Sequence, residues 1–385
     1  MIGLAYTDAR GRIFYDPTCA PLADGGLERA PTRDELIPAP PGTVPTMLPG
    51  RAPLLAGGRA AERRTALGAL LPAGYTRLLL PAYRRRADAP ALPLFGYTFA
   101  CVVDDELHVA AMRTDASEDW APRTYAAGEL EALLARRQAE DPRNRTLAQL
   151  ALCSREYGCF TAQNVFLERG EAALPVSPRC NAACVGCISE LTPDAGLPSP
   201  QTRVDFEPEV DDLARIAIRH LERVPDGIVS FGQGCEGEPL LRVTTIERTI
   251  ERIRAARPNG TINLNTNGSL PKSLGRLIDA GLQAVRISVN SFRPEVYAAY
   301  YRPTGYDLDD VMTSIALAVD AGLWVSLNYL THPGVTDERA EVEAFETFLG
   351  AHPVAMVQTR TLNIDPERYF AAVGRPTEPL GMRVA

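Results

Sequence analysis

Residues 173–190 read ALPVSPRCNAACVGCISE, an apolar start that runs directly into Cys180, Cys184 and Cys187. The first residues have the make-up of a short strand, and the C-x3-C-x2-C spacing puts three thiols within one small loop. Three thiolates so close can all turn toward one object, and Cys thiolates are the ligands that hold iron–sulfur clusters. A cubane with three protein ligands keeps one iron open, and an open position separates catalytic from structural metal sites. Two other readings of the triplet stand beside this one. A structural zinc needs four ligands. His108, His220, His332 and His352 are all remote in sequence, so a distant cysteine such as Cys235 would have to complete that site. Three merely buried thiols, behaving as small hydrophobes, are the plainest reading.

Outward from this run, short apolar segments alternate with helical patterns. Strands are predicted at 173–178, 227–234, 261–268, 284–291, 324–330 and 356–364, with helices around 207–222, 241–257, 271–280, 308–321 and 337–349. That alternation specifies an α/β fold with a parallel sheet built from right-handed crossovers. Six strands predict a partial, TIM-like (β/α)6 barrel rather than a closed eight-stranded one. The last residues, AAVGRPTEPLGMRVA, hold one short helical pattern, so the C-terminal edge reads as incomplete.

Parallel barrels gather their chemistry at the C-terminal ends of the strands. The cysteine run follows the first strand. The second runs straight into CEGEPLL, which puts Gly237, Glu238 and Pro239 at the same face. Glycine permits close backbone approach, and a carboxylate accepts a charge-assisted hydrogen bond from an ammonium; alone, Gly-Glu-Pro is a turn. Period-two alternation puts Asn263, Asn265 and Asn267 on one face of the third strand, either as a polar pocket wall or as an asparagine ladder ending in an Asn267-Gly268 turn. Arg286, Ser288 and Asn290 share a face of the fourth strand, Ser326 and Asn328 of the fifth, and Gln358, Arg360 and Leu362 of the sixth. So many convergent polar groups suit a polar substrate.

The cysteine spacing followed by Gly-Glu-Pro one βα unit later resembles the radical S-adenosylmethionine (radical SAM) enzymes, over residues 173–366. The runs SFGQGCEGEPLL, INLNTNGSLP, YYRP and LNIDPERY resemble a bacterial subgroup of them. The resemblance implies a [4Fe–4S] cluster on Cys180, Cys184 and Cys187, with S-adenosylmethionine (SAM) on the open iron. It implies that Gly237, Glu238 and Pro239 hold the amino group of SAM, and that Asn265, Ser288 and Asn290 are further cofactor-binding positions, the last two near its ribose and carboxylate. Reductive cleavage of SAM would give a 5′-deoxyadenosyl radical that abstracts hydrogen from a small molecule, a peptide or a protein residue. An electron donor such as flavodoxin or ferredoxin is implied as a partner. One departure is Gly186, where many radical SAM enzymes carry an aromatic near the adenine; here the backbone at Gly186 would approach it. No D-x-H-x-x-G run occurs in residues 1–170 and no cysteine follows Cys235, so neither a cobalamin-binding domain nor a cysteine-rich SPASM extension is expected. The competing class is an iron–sulfur sensor or scaffold that has lost SAM cleavage.

Residues 1–160 read as a smaller, mainly β accessory domain with two helices, and 161–385 as the barrel. GLAYTDARGRIFYD (3–16) and YTFACVVDDELHVAAMR (97–113) alternate around turns and predict hairpins, while the Pro- and Gly-rich stretch 37–58 predicts irregular chain. AGELEALLARRQAE (127–140) and RTLAQLALCSREYG (145–158) predict the helices. Cys153 and Cys159 stand in a C-x5-C spacing that matches no firm cluster motif and read as buried or redox-neutral thiols, with an auxiliary cluster or a substrate-tethering thiol as the alternative. Cys19 and Cys101 read as structural, and Tyr300, Tyr301 and Arg302 as core or as the mouth of the barrel.

A net charge of −8 gives no electrostatic reason to bind nucleic acid or an anionic membrane. No stretch approaches the roughly 18 apolar residues of a membrane span, so a cytoplasmic protein is expected. Lys272 is the one lysine and is remote from the cysteine run, which argues against Schiff-base chemistry.

Overall fold

The structure is a computed structural model that describes residues 1–115, 127–256 and 259–384. Its centre is a parallel sheet of six strands in chain order: β1 (Glu171–Leu174), β2 (Ile228–Phe231), β3 (Thr261–Thr266), β4 (Ala284–Val289), β5 (Trp324–Thr331) and β6 (Met356–Thr361). Ten helices are labelled α1 (Ala127–Glu140), α2 (Arg145–Glu156), α3 (Phe160–Leu167), α4 (Val210–Arg223), α5 (Val243–Ala256), α6 (Pro271–Asp279), α7 (Pro294–Tyr301), α8 (Leu308–Asp320), α9 (Arg339–Ala351) and α10 (Pro366–Val373). Val229, Ile262, Leu264, Val285, Ile287 and Leu327 are fully buried and pack in one cluster with Ile216, Ile250, Leu277 and Ile315 of the helices. Each such side chain contributes about 1.5–3 kcal/mol. With the apolar face of each strand committed to helices, the alternate residues face the inside of the curved sheet.

The architecture is the partial (β/α)6 barrel that the alternation predicts, with three local differences. The first strand begins at Glu171 and ends at Leu174, because Pro175 cannot donate to a ladder. A helix that the periodicity misses, α7, follows β4; Pro294 opens it and Arg302, in the left-handed region, ends it. A third helix, α3, lies between Cys159 and β1. Residue 257, the expected end of the 241–257 helix, lies outside the described residues.

The N-terminal region is strand-rich. Ile2–Thr7 pairs with Ile13–Asp16, and Thr98–Val103 with Glu106–Arg113 through Asp104 and Asp105, both at positive φ. The stretch 37–58 is not irregular: Val44–Met47 and Arg51–Leu55 are strands. Val44–Met47 lies at the sheet edge, where Pro45 costs no central ladder bond.

This region covers the open side of the barrel, so the C-terminal edge is not incomplete. Arg77, fully buried, donates from Nη2 to Leu362 O at 2.8 Å; Leu92 N donates to Asp365 Oδ2 at 2.8 Å; Ile364 N donates to Phe95 O at 3.2 Å. Arg51, also fully buried, donates from Nε to Glu367 Oε1 at 2.8 Å and lies 3.4 Å from Asp365. Removing one partner of such a pair strands the other, at a cost of about 3–5 kcal/mol. Arg51→Ala is therefore expected to lower the denaturant midpoint sharply; an unchanged midpoint would show that the two regions do not depend on this contact.

Candidate functional site: a three-cysteine loop clamped at the mouth of the barrel

The segment 175–190 leaves the C-terminal end of β1 and carries Cys180, Cys184 and Cys187. It is held from two sides. On the β2 side a single carboxylate does most of the fastening. Glu236 Oε2 accepts from Val176 N at 2.7 Å and Ser177 N at 2.8 Å, while Oε1 accepts from Gly232 N at 2.9 Å and Gln233 N at 2.7 Å. Burial pushes this carboxyl up to about 7 against the pull of those four N–H groups. Two backbone bonds continue the join, Gly237 N to Ser177 O at 2.7 Å and Glu238 N to Arg179 O at 2.9 Å. The chains run so close that a Cβ on Gly237 would lie 2.0 Å from Arg179 O. Glycine is required here for the cysteine loop itself.

On the other side, Ala183 N donates to Tyr301 O at 3.0 Å and Val185 N to Tyr300 O at 2.9 Å, and Thr304 N donates to Asn181 O at 2.8 Å. The chain leaving α7 thus holds the cysteine loop by its backbone, while the Tyr300 and Tyr301 side chains are buried. Asn181 also joins the loop to the end of β3: its Nδ2 donates to Ser269 Oγ and its Oδ1 accepts from Asn267 Nδ2, both at 2.9 Å. Asn267 therefore leaves the face it was expected to share with Asn263 and Asn265, because β3 ends at Thr266.

The three thiols lie within reach of one another's charge. Burial raises the Cys180 thiol to about 11, and burial followed by Cys187 and Cys180 holds the Cys184 thiol well above its usual value. Arg203 is the cation beside them, donating from Nη2 to Cys187 Sγ at 3.7 Å and from Nε to Ser189 Oγ at 3.2 Å. Neighbouring soft thiols that resist ionisation together suit a metal centre, whose positive charge reverses that preference. Among the described residues no three Cys, His, Asp or Glu side chains converge closely enough for a single metal ion. A cluster makes no such demand, since each thiolate binds its own iron. Cys235, the candidate fourth zinc ligand, is buried beside Cys153. The interaction of the two thiols lowers that of Cys153 to about 7. Cys159 lies 3.4 Å from Thr161 Oγ1, and Cys101 is buried, its thiol raised to about 12.

The other candidate residues fall into two groups. Glu238 is buried and faces into the fold, with Oε1 accepting from Leu240 N at 2.9 Å and from Thr266 Oγ1, and Oε2 from Asn267 N at 2.9 Å. A carboxylate has about four acceptor sites, so one is left. Pro239 opens the short turn that Glu238 caps. Asn290 is fully buried; its Nδ2 donates to Tyr369 OH at 3.1 Å and its Oδ1 has no partner. Tyr369 meets Tyr300 edge-on at 5.7 Å between ring centres. The Tyr300 hydroxyl in turn would stand 3.2 Å from a Cβ on Gly186. The space an aromatic residue at 186 would fill is thus taken by Tyr300 and Ile364.

Asn265 and Ser288 lie on the inner wall. Asn265 Nδ2 donates to Phe231 O at 3.0 Å and its Oδ1 accepts from Arg286 Nη1 at 2.9 Å; Ser288 Oγ accepts from Asn328 Nδ2 at 3.4 Å. The asparagine ladder and the pocket wall are both present, since Asn263 Nδ2 reaches Asn265 Oδ1 at 3.4 Å on that wall. Glu236, Asn181 and Arg203 escaped the sequence reading. A glutamate two residues before Glu238 was the only visible trace of the first. Away from the strand ends, a surface cavity of about 760 Å³ is lined by Arg143, Asp211, Arg248 and Arg252.

A strand-end loop of three thiols, clamped by the next βα loop at the mouth of a partial barrel, is an arrangement suited to a metal cluster. Residues 174–345 match the family model described as the radical SAM superfamily, a family that uses a [4Fe–4S] cluster and SAM. The chain is 32 % identical over 170 residues to GTP 3′,8-cyclase of Streptomyces coelicolor, covering 43 % of this chain and 46 % of that one. It is 26 % identical over 178 residues to the FeMo cofactor biosynthesis protein NifB of Klebsiella pneumoniae, covering 43 % and 37 %. The chain thus spans less than half the length of these curated relatives. A solved structure described as native anSMEcpe with bound AdoMet overlaps with a TM-score of 0.40 at 17 % identity, over 51 % of this chain and 52 % of that one. No helix among the described residues is long and apolar enough to cross a membrane.

Proposed function

We propose that the chain is a radical SAM enzyme acting on a polar substrate held in the barrel. The observation that carries this reading is the doubly clamped cysteine loop at the mouth of a polar-lined barrel. Cys180, Cys184 and Cys187 would hold the [4Fe–4S] cluster. When bound, the cluster and SAM supply an electron and a 5′-deoxyadenosyl radical, which takes a hydrogen from the substrate. The chain's own residues bind and orient. Gly237, Glu238 and Pro239 form the turn beside Cys180; the remaining acceptor site of Glu238 suits an ammonium. Ser288 Oγ and the unpartnered Asn290 Oδ1 suit the polar groups of the nucleoside. Gly186, backed by Tyr300, leaves its backbone to face the adenine, and Asn265 continues the polar wall below. A reducing, cytoplasmic setting and a small electron carrier such as flavodoxin or ferredoxin accord with such a centre. Residues 1–160 would serve as the accessory region that covers the barrel's open side.

Anaerobic reconstitution tests the proposal. About four irons and four sulfides per chain, and 5′-deoxyadenosine on addition of dithionite and SAM, are expected. Full loading without any cleavage would leave an iron–sulfur scaffold and overturn the enzyme.

A further inference from the structure

The inner wall of the barrel carries more positive charge than its own carboxylate balances. Arg286 reaches across it from β4: Nη1 donates to Asn265 Oδ1 at 2.9 Å and lies 3.4 Å from Glu171 Oε1, while Nε is buried with no partner. Arg360 belongs to β6. Thr359 and Thr361, on either side of it, face the N-terminal region: Thr359 Oγ1 lies 3.4 Å from Thr76 Oγ1, and a Cβ on Gly96 would lie 2.6 Å from Thr361. Alternation turns Arg360 the other way, into the barrel. Its hydrogen bond there goes to Gln358 Oε1 at 3.4 Å, and among the described residues it pairs with no carboxylate. Arg360 is exposed at the open end of the chamber, yet near enough to Arg286 and Glu171 to feel both: partial desolvation and then Arg286 lower its pKa, and Glu171 raises it.

Two guanidiniums and one carboxylate leave one positive charge in excess. Arg286 is largely buried and Arg360 is exposed beside it, so the pair repels at the chamber's open end and an anion that joins them relieves the repulsion. On β5, Asn328 Oδ1 is a second buried atom without a partner, and buried polar atoms left open in a fold call for a ligand.

We propose that Arg286 and Arg360 anchor a carboxylate of the substrate inside the barrel, with Asn328 Oδ1 accepting an N–H or O–H from the same molecule. This deepens the reading above and rests on the barrel being the substrate chamber. A guanidinium fork matches the planar carboxylate. The single excess charge matches a monoanion, whereas a phosphate carrying about −1.5 to −2 would face Glu171 at a disadvantage.

The test uses the full-length chain, before and after anaerobic cluster loading, at constant ionic strength. The unfolding midpoint is read against sodium acetate, neutral acetamide and inorganic phosphate. Acetate is expected to raise the wild-type midpoint by about 2 °C at several times its dissociation constant. Acetamide should give no shift, and phosphate less than acetate. Arg360→Gln should abolish the acetate shift and Arg360→Lys should restore part of it. Circular dichroism checks that Arg360→Gln folds, which the single long hydrogen bond of Arg360 favours. No acetate shift in the wild type, an equal shift in Arg360→Gln, or a larger shift with phosphate would overturn the assignment. So would a tenfold loss of SAM affinity in Arg360→Gln, which would put the pair on the carboxylate of the cofactor instead. Because acetate binding is read before the cluster is loaded, it stands or falls apart from SAM cleavage.

Discussion

Cys184→Ala is expected to yield a folded chain that takes up almost no cluster and makes no 5′-deoxyadenosine. Losing one thiol from the loop costs about 1 kcal/mol of folding stability, because the loop is held by backbone bonds at Val176, Ser177, Ala183 and Val185 rather than by the cysteines. Losing one of three ligands is a different matter. Cys180 and Cys187 then offer two thiolates to a centre that needs three protein ligands and cannot hold the cluster alone. Iron should fall from about four per chain to less than about one. Iron and sulfide analysis with visible absorbance reads this directly, and the far-ultraviolet circular dichroism should match the wild type. A Cys184→Ala chain that loads the full cluster would remove these three residues from the assignment.

Gly237→Ala should be nearly as damaging, although it touches no ligand. The added methyl would lie 2.0 Å from Arg179 O and 2.9 Å from Cys180 N, and backbone atoms cannot swing aside as a side chain can. Gly237 is not among the residues at positive φ, so alanine is compatible with its backbone and the collision alone acts. Overpacking of this kind costs about 1–3 kcal/mol. Relief must come by parting the Gly237–Ser177 and Glu238–Arg179 hydrogen bonds, which moves Cys180. Cluster loading is expected to fall by about tenfold or more, on the conversion of 1.4 kcal/mol per decade. Gly350→Ala is the matching control: in α9 a Cβ there meets nothing within 4 Å, and the helix should gain up to about 1 kcal/mol. Equal iron content in the Gly237→Ala and Gly350→Ala chains would show that the contact does not position the loop.

The barrel strands and the three-cysteine loop were legible because both are local patterns. Apolar runs such as TINL and AVRI declare buried strands, and three cysteines within one loop declare a shared object. The errors were also local in origin. The proline-rich stretch 37–58 looks irregular until Val44–Met47 finds an edge to occupy, and α7 hides in VYAAYY because it has no polar face. Its outward side is carried largely by Ala298 and Ala299, so no polar stripe marks the 3.6-residue period.

The polar residues fared differently. Alternation put Arg286, Ser288 and Asn328 on inner faces, but not which of their atoms would stay open. Glu238 was expected to present its carboxylate to the cofactor, and most of its acceptor sites instead bind Leu240, Thr266 and Asn267. Gly186 looked like a missing aromatic, and Tyr300 arrives from more than a hundred residues later to fill that space.

By itself the sequence determined the six-strand parallel order, the cysteine loop and the face of the barrel at which it lies, since periodicity and spacing are properties of neighbouring residues. Only the tertiary structure decided how that loop is fastened. Glu236 joining Val176 to Gly232, Gly237 against Arg179, and Arg203 on Cys187 are contacts between segments far apart in the chain. It also decided that the N-terminal region fastens onto the chain that follows β6 through Arg51 and Arg77. No local pattern encodes such pairings, because burying a charged or polar group is favourable only once its partner has been delivered to the same place.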